Sequence, residues 1–92
     1  MWLVYILECS DGTFYTGVTN NIHHRLACHN EGNGAKYTRS RRPCTLIYFE
    51  EYPTESKARK REYAIKKLKR FQKEILVEGF SKATLQNILK SE

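Results

Sequence analysis

The sequence predicts an α+β fold: a small three-stranded sheet, opened by a β-hairpin and flanked by helices, in the order β-β-α-β-α-α. Three observations predict it. Two runs rich in aromatic and aliphatic residues, 2–9 and 14–19, flank Asp11-Gly12, a dipeptide that strongly marks a tight hairpin turn. A third such run, containing Leu46, Ile47, Tyr48 and Phe49, stands between Pro43 and Pro53, and proline is excluded from the interior of a paired strand. The stretches between and after these runs are charged, with apolar residues three and four apart, which is helical spacing.

Each element has its own justification. Asn20 or Asn21 can accept from the free N–H groups at the start of a helix near Ile22, and Gly32-Asn33-Gly34 stops that helix after about Asn30. Residues 36–42 read as a basic, polar loop carrying Tyr37 and Thr38. Residues 45–51 form the third strand. Thr54 caps the next helix, which runs from about Glu55 to Lys69 with Ala58, Ile65 and Leu68 as its apolar stripe. A further helix or helical continuation covers residues 70–77 and ends at Gly79. Ser81 caps a last short helix with Leu85, Ile88 and Leu89 on one face. The 92 residues form one domain, with a core over about 2–77 and a helical tail over 78–92.

Composition narrows the function. With 40% apolar and 28% charged residues the chain is an ordinary globular domain and not a disordered one. The apolar run over residues 2–7 is too short for a signal-peptide core or a membrane span, so no membrane role and a cytoplasmic address are expected. Three cysteines without a CxxC pair argue against a disulfide framework. The net charge of +6 is concentrated: thirteen of the sixteen Lys and Arg lie between Lys36 and Lys73, against four acidic residues, so that segment alone carries +9. A basic field of this density suits a polyanion, and nucleic acid is the expected partner.

Five residues look out of place for packing alone. Arg25 and His29 are four apart and fall on the half of the first helix that carries Ile22 and Leu26, the half that should lie on the hairpin. Glu62 sits at the edge of the Ala58/Ile65 stripe, with Lys66 four residues on as a simple helix-pair partner. Tyr5 and Tyr15 lie on paired strands either side of the turn and can share a face. Beyond these five, Arg61 projects near the centre of the Ala58/Ile65 stripe, where only a snorkelling side chain or a break in the helix would place it.

These residues resemble those of the GIY-YIG nuclease superfamily. Leu3-Val4-Tyr5 stands where that family has Gly-Ile-Tyr, and Tyr15-Thr16-Gly17 stands where it has Tyr-Ile-Gly. Arg25 comes eight residues after Gly17, His29 four more, and Glu62 lies on a later helix. The match covers residues 2–71 and is similar to the small, stand-alone bacterial members. Leu3 and Thr16 depart from the triplets, and Glu74 stands where many members carry an Asn.

The resemblance implies a three-stranded sheet flanked by helices, hydrolysis of phosphodiesters in DNA ahead of RNA, and one divalent ion, Mg²⁺ or Mn²⁺, held by Glu62. Arg25 would clamp the phosphate with its fork of donors. Tyr5 would deprotonate or orient the attacking water, its pKa lowered by nearby cations, with His29 accepting its proton and Tyr15 positioning water or phosphate. Gly17 would allow close approach of backbone or substrate. Lys36, Tyr37, Arg39, Arg41, Arg42, Arg59, Lys66, Lys69 and Arg70 would track the nucleic acid. No residue pattern reads base edges, so cutting that is structure-selective or weakly specific is expected. A monomer is expected, with targeting supplied either by a partner protein or by weak intrinsic selectivity. The alternative is a binding module of the same fold that does not cleave.

Overall fold

A computed structural model describes residues 1–90. The elements are β1 (Trp2–Glu8), β2 (Phe14–Thr19), α1 (Ile22–Glu31), α2 (Lys36–Arg39), β3 (Thr45–Tyr52), α3 (Glu55–Lys66), α4 (Arg70–Glu78) and α5 (Lys82–Lys90). The strands form one antiparallel sheet in the order β2-β1-β3. The expected three-stranded sheet flanked by helices is therefore the observed architecture.

The first strand in sequence is the central strand in space, and this explains its unbroken apolar run. Successive residues of a strand point to opposite faces. Leu3, Tyr5 and Leu7 enter one buried cluster with Ile22, Cys44, Leu46 and Phe49. Val4 and Ile6 enter the other with Tyr48, Ala58 and Ile65. Leu26 of α1 and Leu85, Ile88 and Leu89 of α5 cover the first face, and α3 and α4 cover the second. The tail expected over residues 78–92 is thus part of the packing as far as residue 90, its last two residues lying outside the described ones. The β1–β3 pairing slips between Ile6 and Leu7, whose partners are Tyr48 and Leu46, so Ile47 is an extra residue on β3.

Two boundaries differ from expectation by more than one residue. Residues 36–42 are not all loop: Lys36–Arg39 close one helical turn, with the Thr38 and Arg39 N–H groups donating to the Ala35 carbonyl at 3.1 and 3.2 Å. A four-residue turn has no apolar period to betray it. The long helix ends at Lys66 and not Lys69, because the last N–H groups tighten onto carbonyls three residues back, Lys67 on Ala64 and Leu68 on Ile65. Lys69 is extended, and its N–H donates to the Gln72 side chain at 2.8 Å to begin α4. The chain therefore bends between two helices that the charge pattern runs together.

The other caps match expectation. Asn21 accepts from the His24 N–H at 3.1 Å, and Gly32 closes α1 in the left-handed region at φ 86. Thr54 caps α3. Gly79 closes α4 in a right-handed conformation, φ −77, so it stops the helix without needing glycine's freedom.

Arg61, unexplained by the stripe, has a partner. Its Nε and Nη2 reach the two oxygens of Glu50 at 2.9 and 3.1 Å, while the Tyr48 and Tyr52 hydroxyls also donate to that carboxylate. This fork ties α3 to β3, and the bonds hold Glu50 below the usual carboxylate range against the opposing effect of burial.

Candidate active site

The site grows from the middle of the sheet. Tyr5 pairs across to Gly17 on the edge strand β2. With no side chain at Gly17, the Tyr5 ring lies across it: a Cβ there would sit 2.5 Å from the hydroxyl oxygen and 2.7 Å from Cζ. The close approach expected at Gly17 is therefore made by a tyrosine side chain. Tyr5 is 1% exposed.

Helix α1 brings Arg25 and His29 to this hydroxyl. Arg25 Nε donates to Tyr5 Oη at 3.4 Å, and the Tyr15 hydroxyl acts on the same guanidinium. Tyr5 Oη and His29 Nε2 share a hydrogen bond of 2.9 Å. His29 is fully buried, and its Nδ1 bonds Thr38 Oγ1 at 2.8 Å. The Tyr15 ring lies edge-on to His29 at 5.2 Å between centroids and stacks on Tyr37 at 6.1 Å. Four of the five candidate residues, Tyr5, Tyr15, Arg25 and His29, thus form one contiguous cluster.

Glu62 comes from the other face of the sheet, on α3, which packs on β1 and the edge strand β2. It pairs with cationic arms on its own helix, Lys66 at 3.2 Å and Arg59 at 3.8 Å, while its charge is close enough to push the Tyr5 pKa upward. The helix pair and proximity to the site thus coexist at this residue.

The electrostatics correct one expectation. The Tyr5 pKa is raised to about 12, where nearby cations were expected to lower it. Burial is the largest cause, because the phenolate would lose its hydration, and the Arg25 bond offsets only part of it. His29 moves the other way, down to about 4, through burial first and the Arg25 charge second. Both rings are neutral at pH 7.

The His29 shift has a consequence for stability. Between its unfolded pKa of about 6.5 and the folded value, the unfolded chain binds a proton that the folded chain refuses, so stability falls as pH falls. The contribution is complete above about pH 6.5 and is lost towards pH 4. A loss of about 2 kcal/mol between pH 7 and pH 5 is expected in urea unfolding, and His29→Gln should flatten that slope. An unchanged slope in the variant would remove His29 as the cause.

A cleft of about 240 Å³ opens beside the cluster, lined by Phe14, Tyr15, Thr16, Tyr37, Lys66 and Lys73. Thr16 carries a buried hydroxyl with no hydrogen-bond partner among the described residues. Of the residues expected to track a polyanion, Tyr37 and Lys66 line this cleft. Arg41 lies over the Tyr37 ring at 4.0 Å and pairs with Asp11. Arg70 lies over the Phe14 ring at 3.7 Å, donates to the Gly12 carbonyl and pairs with Glu74. Others serve the fold. Arg42 donates to the Arg39 carbonyl, Arg59 pairs with Glu55, and Lys69 starts α4. Lys36 and Arg39 lie exposed on α2. Sequence reasoning misses Thr38, Gly34 and Lys73. No spacing rule links Thr38 to His29, and Lys73 is one basic residue among thirteen.

Among the described residues, no group of three or more His, Cys, Asp or Glu side chains lies together. Glu62 nevertheless suits a hard cation. Its side chain is only 15% exposed, and the arms that pair with it are half-exposed and displaceable. Mg²⁺ keeps several waters and needs only one or two carboxylates beside substrate phosphate oxygens. None of the described helices is long and apolar enough to cross a membrane.

Known proteins resemble this chain over most of its length. Residues 1–74 match the family described as the GIY-YIG catalytic domain. The chain is 56% identical to a UPF0213 protein of Halobacterium salinarum, over 79% of this chain and 95% of that one. It is 46% identical to the UPF0213 protein YazA of Bacillus subtilis, over 80% of this chain and 75% of that one. Among solved structures it is similar to protein EF2693 of E. faecalis, at TM-score 0.58 and 49% identity over 83% of this chain and 81% of that one. The UPF0213 protein BH0048 of Bacillus halodurans gives TM-score 0.55 and 46% identity over 85% and 84%. With Arg25 and His29 bonded to the Tyr5 hydroxyl, Tyr15 packed against them and the family match spanning most of the sequence, this chain belongs to the GIY-YIG family.

Proposed function

We propose that this protein is a divalent-metal-dependent endonuclease that hydrolyses phosphodiester bonds in nucleic acid, DNA ahead of RNA, with low sequence specificity. The observation that carries the reading is the Arg25–Tyr5–His29 hydrogen-bond chain, centred on a buried tyrosine that feels the Glu62 charge, with a lysine-lined cleft alongside. Binding alone would be served by the basic surface. It would not require a buried tyrosine held between an arginine and a neutral histidine.

Arg25 presents donors to a phosphate while its Nε–H stays on Tyr5, so the guanidinium is aimed before substrate arrives. Tyr5 keeps its proton in the free protein and can act as a base only by passing it along the existing bond to His29 Nε2. Tyr15, against His29 and Arg25, orients the attacking water or the phosphate. Glu62 would hold the metal, which when bound supplies charge stabilisation at the phosphate and leaving oxygen. Lys66 and Lys73 hold flanking phosphates in the cleft.

Conversion of supercoiled plasmid to nicked and linear forms in Mg²⁺ or Mn²⁺, stopped by EDTA, is the expected result. Binding that weakens steeply with salt should accompany it, as counterion release requires. Salt-sensitive binding with no cutting in either metal, over duplex, branched and single-stranded DNA and RNA, would leave the non-catalytic binding module as the reading.

A further inference from the structure

We propose that Thr38 is a positioning residue: it fixes His29 as the Nδ1–H tautomer and so presents a bare Nε2 to the Tyr5 hydroxyl. The inference deepens the reading of Tyr5 and His29 above and rests on it for its catalytic meaning.

The assignment comes from counting protons along a buried chain. His29 and Thr38 are both fully buried, so no water arbitrates their bonding. His29 is neutral at pH 7 and has one ring proton to place. The Thr38 hydroxyl also has one proton, and its Oγ1 donates to the Ala35 carbonyl at 2.9 Å. A carbonyl can only accept. With its proton directed to that carbonyl, at a shorter distance than the Thr38 and Arg39 N–H groups that share it, Oγ1 faces His29 Nδ1 at 2.8 Å as an acceptor, and Nδ1 carries the hydrogen.

The other end of the chain agrees. Tyr5 Oη already receives the Arg25 Nε–H. Its own proton needs an acceptor, and His29 Nε2 stands 2.9 Å away. The opposite tautomer would set Nε2–H against a hydroxyl that is receiving a donor and would leave the buried tyrosine proton without that acceptor. It would also set the bare Nδ1 against an oxygen whose proton is engaged.

The backbone holds Thr38 in place for this. The α2 turn brings Thr38 back onto the Ala35 carbonyl, and Gly34 lies hard against His29. A Cβ at Gly34 would meet the His29 Nδ1 and would be 2.8 Å from its Cα. The segment over residues 34–38 is therefore a clamp on one histidine ring, which gives the short helix a purpose that the sheet and core do not.

The test is the nitrogen spectrum of His29 in ¹⁵N-labelled protein at pH 7, where protonated and bare ring nitrogens are resolved by long-range ¹H–¹⁵N correlation. The expected result is Nδ1 protonated and Nε2 bare in the parent and in Thr38→Ser, with the Nε2–H form populated in Thr38→Val. Cleavage by Thr38→Val should fall roughly 10–100-fold in kcat with KM little changed, and Thr38→Ser should restore it. Nε2–H as the main form in the parent overturns the proposal whatever the variants do. So does a Thr38→Val protein that keeps both the bare Nε2 and the parent rate. The spectrum needs no nuclease activity: a bare Nε2 in a protein that cuts nothing would sink the nuclease reading and leave the tautomer assignment standing.

Discussion

Glu62→Gln should lower cleavage by about 10³-fold or more while leaving the protein folded. The loss is that of the cation: a neutral amide is a poor ligand for a hard ion, and the charge stabilisation that a metal supplies is several kcal/mol, at about 1.36 kcal/mol per tenfold. The fold should scarcely notice. Glu62 pairs with Arg59 and Lys66, whose side chains are 59% and 52% exposed, and such helix pairs contribute a few tenths of a kcal/mol each. Arg25→Ala should cost roughly 10²–10³-fold in kcat, the range for removing one well-aimed donor from developing charge. Arg25→Lys should fall between, since it keeps the charge but loses the fork. Single-turnover cleavage beside urea unfolding measures both quantities. Variants that cut at the parent rate would place the chemistry elsewhere, and variants that fail by unfolding would show a structural role.

Gly17→Ala should be among the most damaging single methyl additions in the molecule. The new Cβ would lie 2.5 Å from Tyr5 Oη, inside any tolerable contact. A long flexible side chain would swing aside, but Tyr5 cannot. Its ring is 1% exposed, and its hydroxyl is pinned by His29 and Arg25. Either the strands separate or Tyr5 gives up both bonds. Overpacking of this kind costs about 1–3 kcal/mol, to which two buried bonds add, so a loss of about 3 kcal/mol and a fall in Tm of more than about 10 °C are expected. Two other glycines calibrate the result. Gly12 has φ 83 with nothing within 4 Å of a Cβ, so Gly12→Ala costs only backbone strain, about 1 kcal/mol. Gly79 has a right-handed φ and meets only ordinary contacts, so Gly79→Ala should be neutral or stabilising by about 0.5 kcal/mol. A Gly17→Ala protein as stable as Gly79→Ala would mean that Tyr5 does not lie across Gly17.

The sheet, the caps and most of the candidate site were legible in the sequence because each rests on local chemistry. Asp11-Gly12 between two apolar runs is enough for the hairpin, and Asn21, Gly32 and Thr54 mark helix ends by their own side chains or lack of one. Arg25 and His29 were visible as polar residues on a packing face, four apart on one helix. The tyrosines, Gly17 and Glu62 stood out mainly through the order of the two triplets, the arginine, the histidine and the glutamate along the chain.

Other features depend on which groups meet across space, and no local pattern records that. Only the tertiary structure put the first strand in the centre of the sheet, which buries Tyr5 and raises its pKa when its cationic neighbour alone would have lowered it. Desolvation depends on everything packed around a group, whereas a charge near it can be guessed from spacing. The same holds for Arg61, whose partner Glu50 is on a different element, and for Thr38, whose bond to His29 joins a four-residue turn to a helix nine positions away. The sequence by itself determined which residue types the candidate site contains and which elements carry them. The tertiary structure decided their protonation and their bonding, because burial and hydrogen-bond direction are properties of the packed neighbourhood and not of the chain.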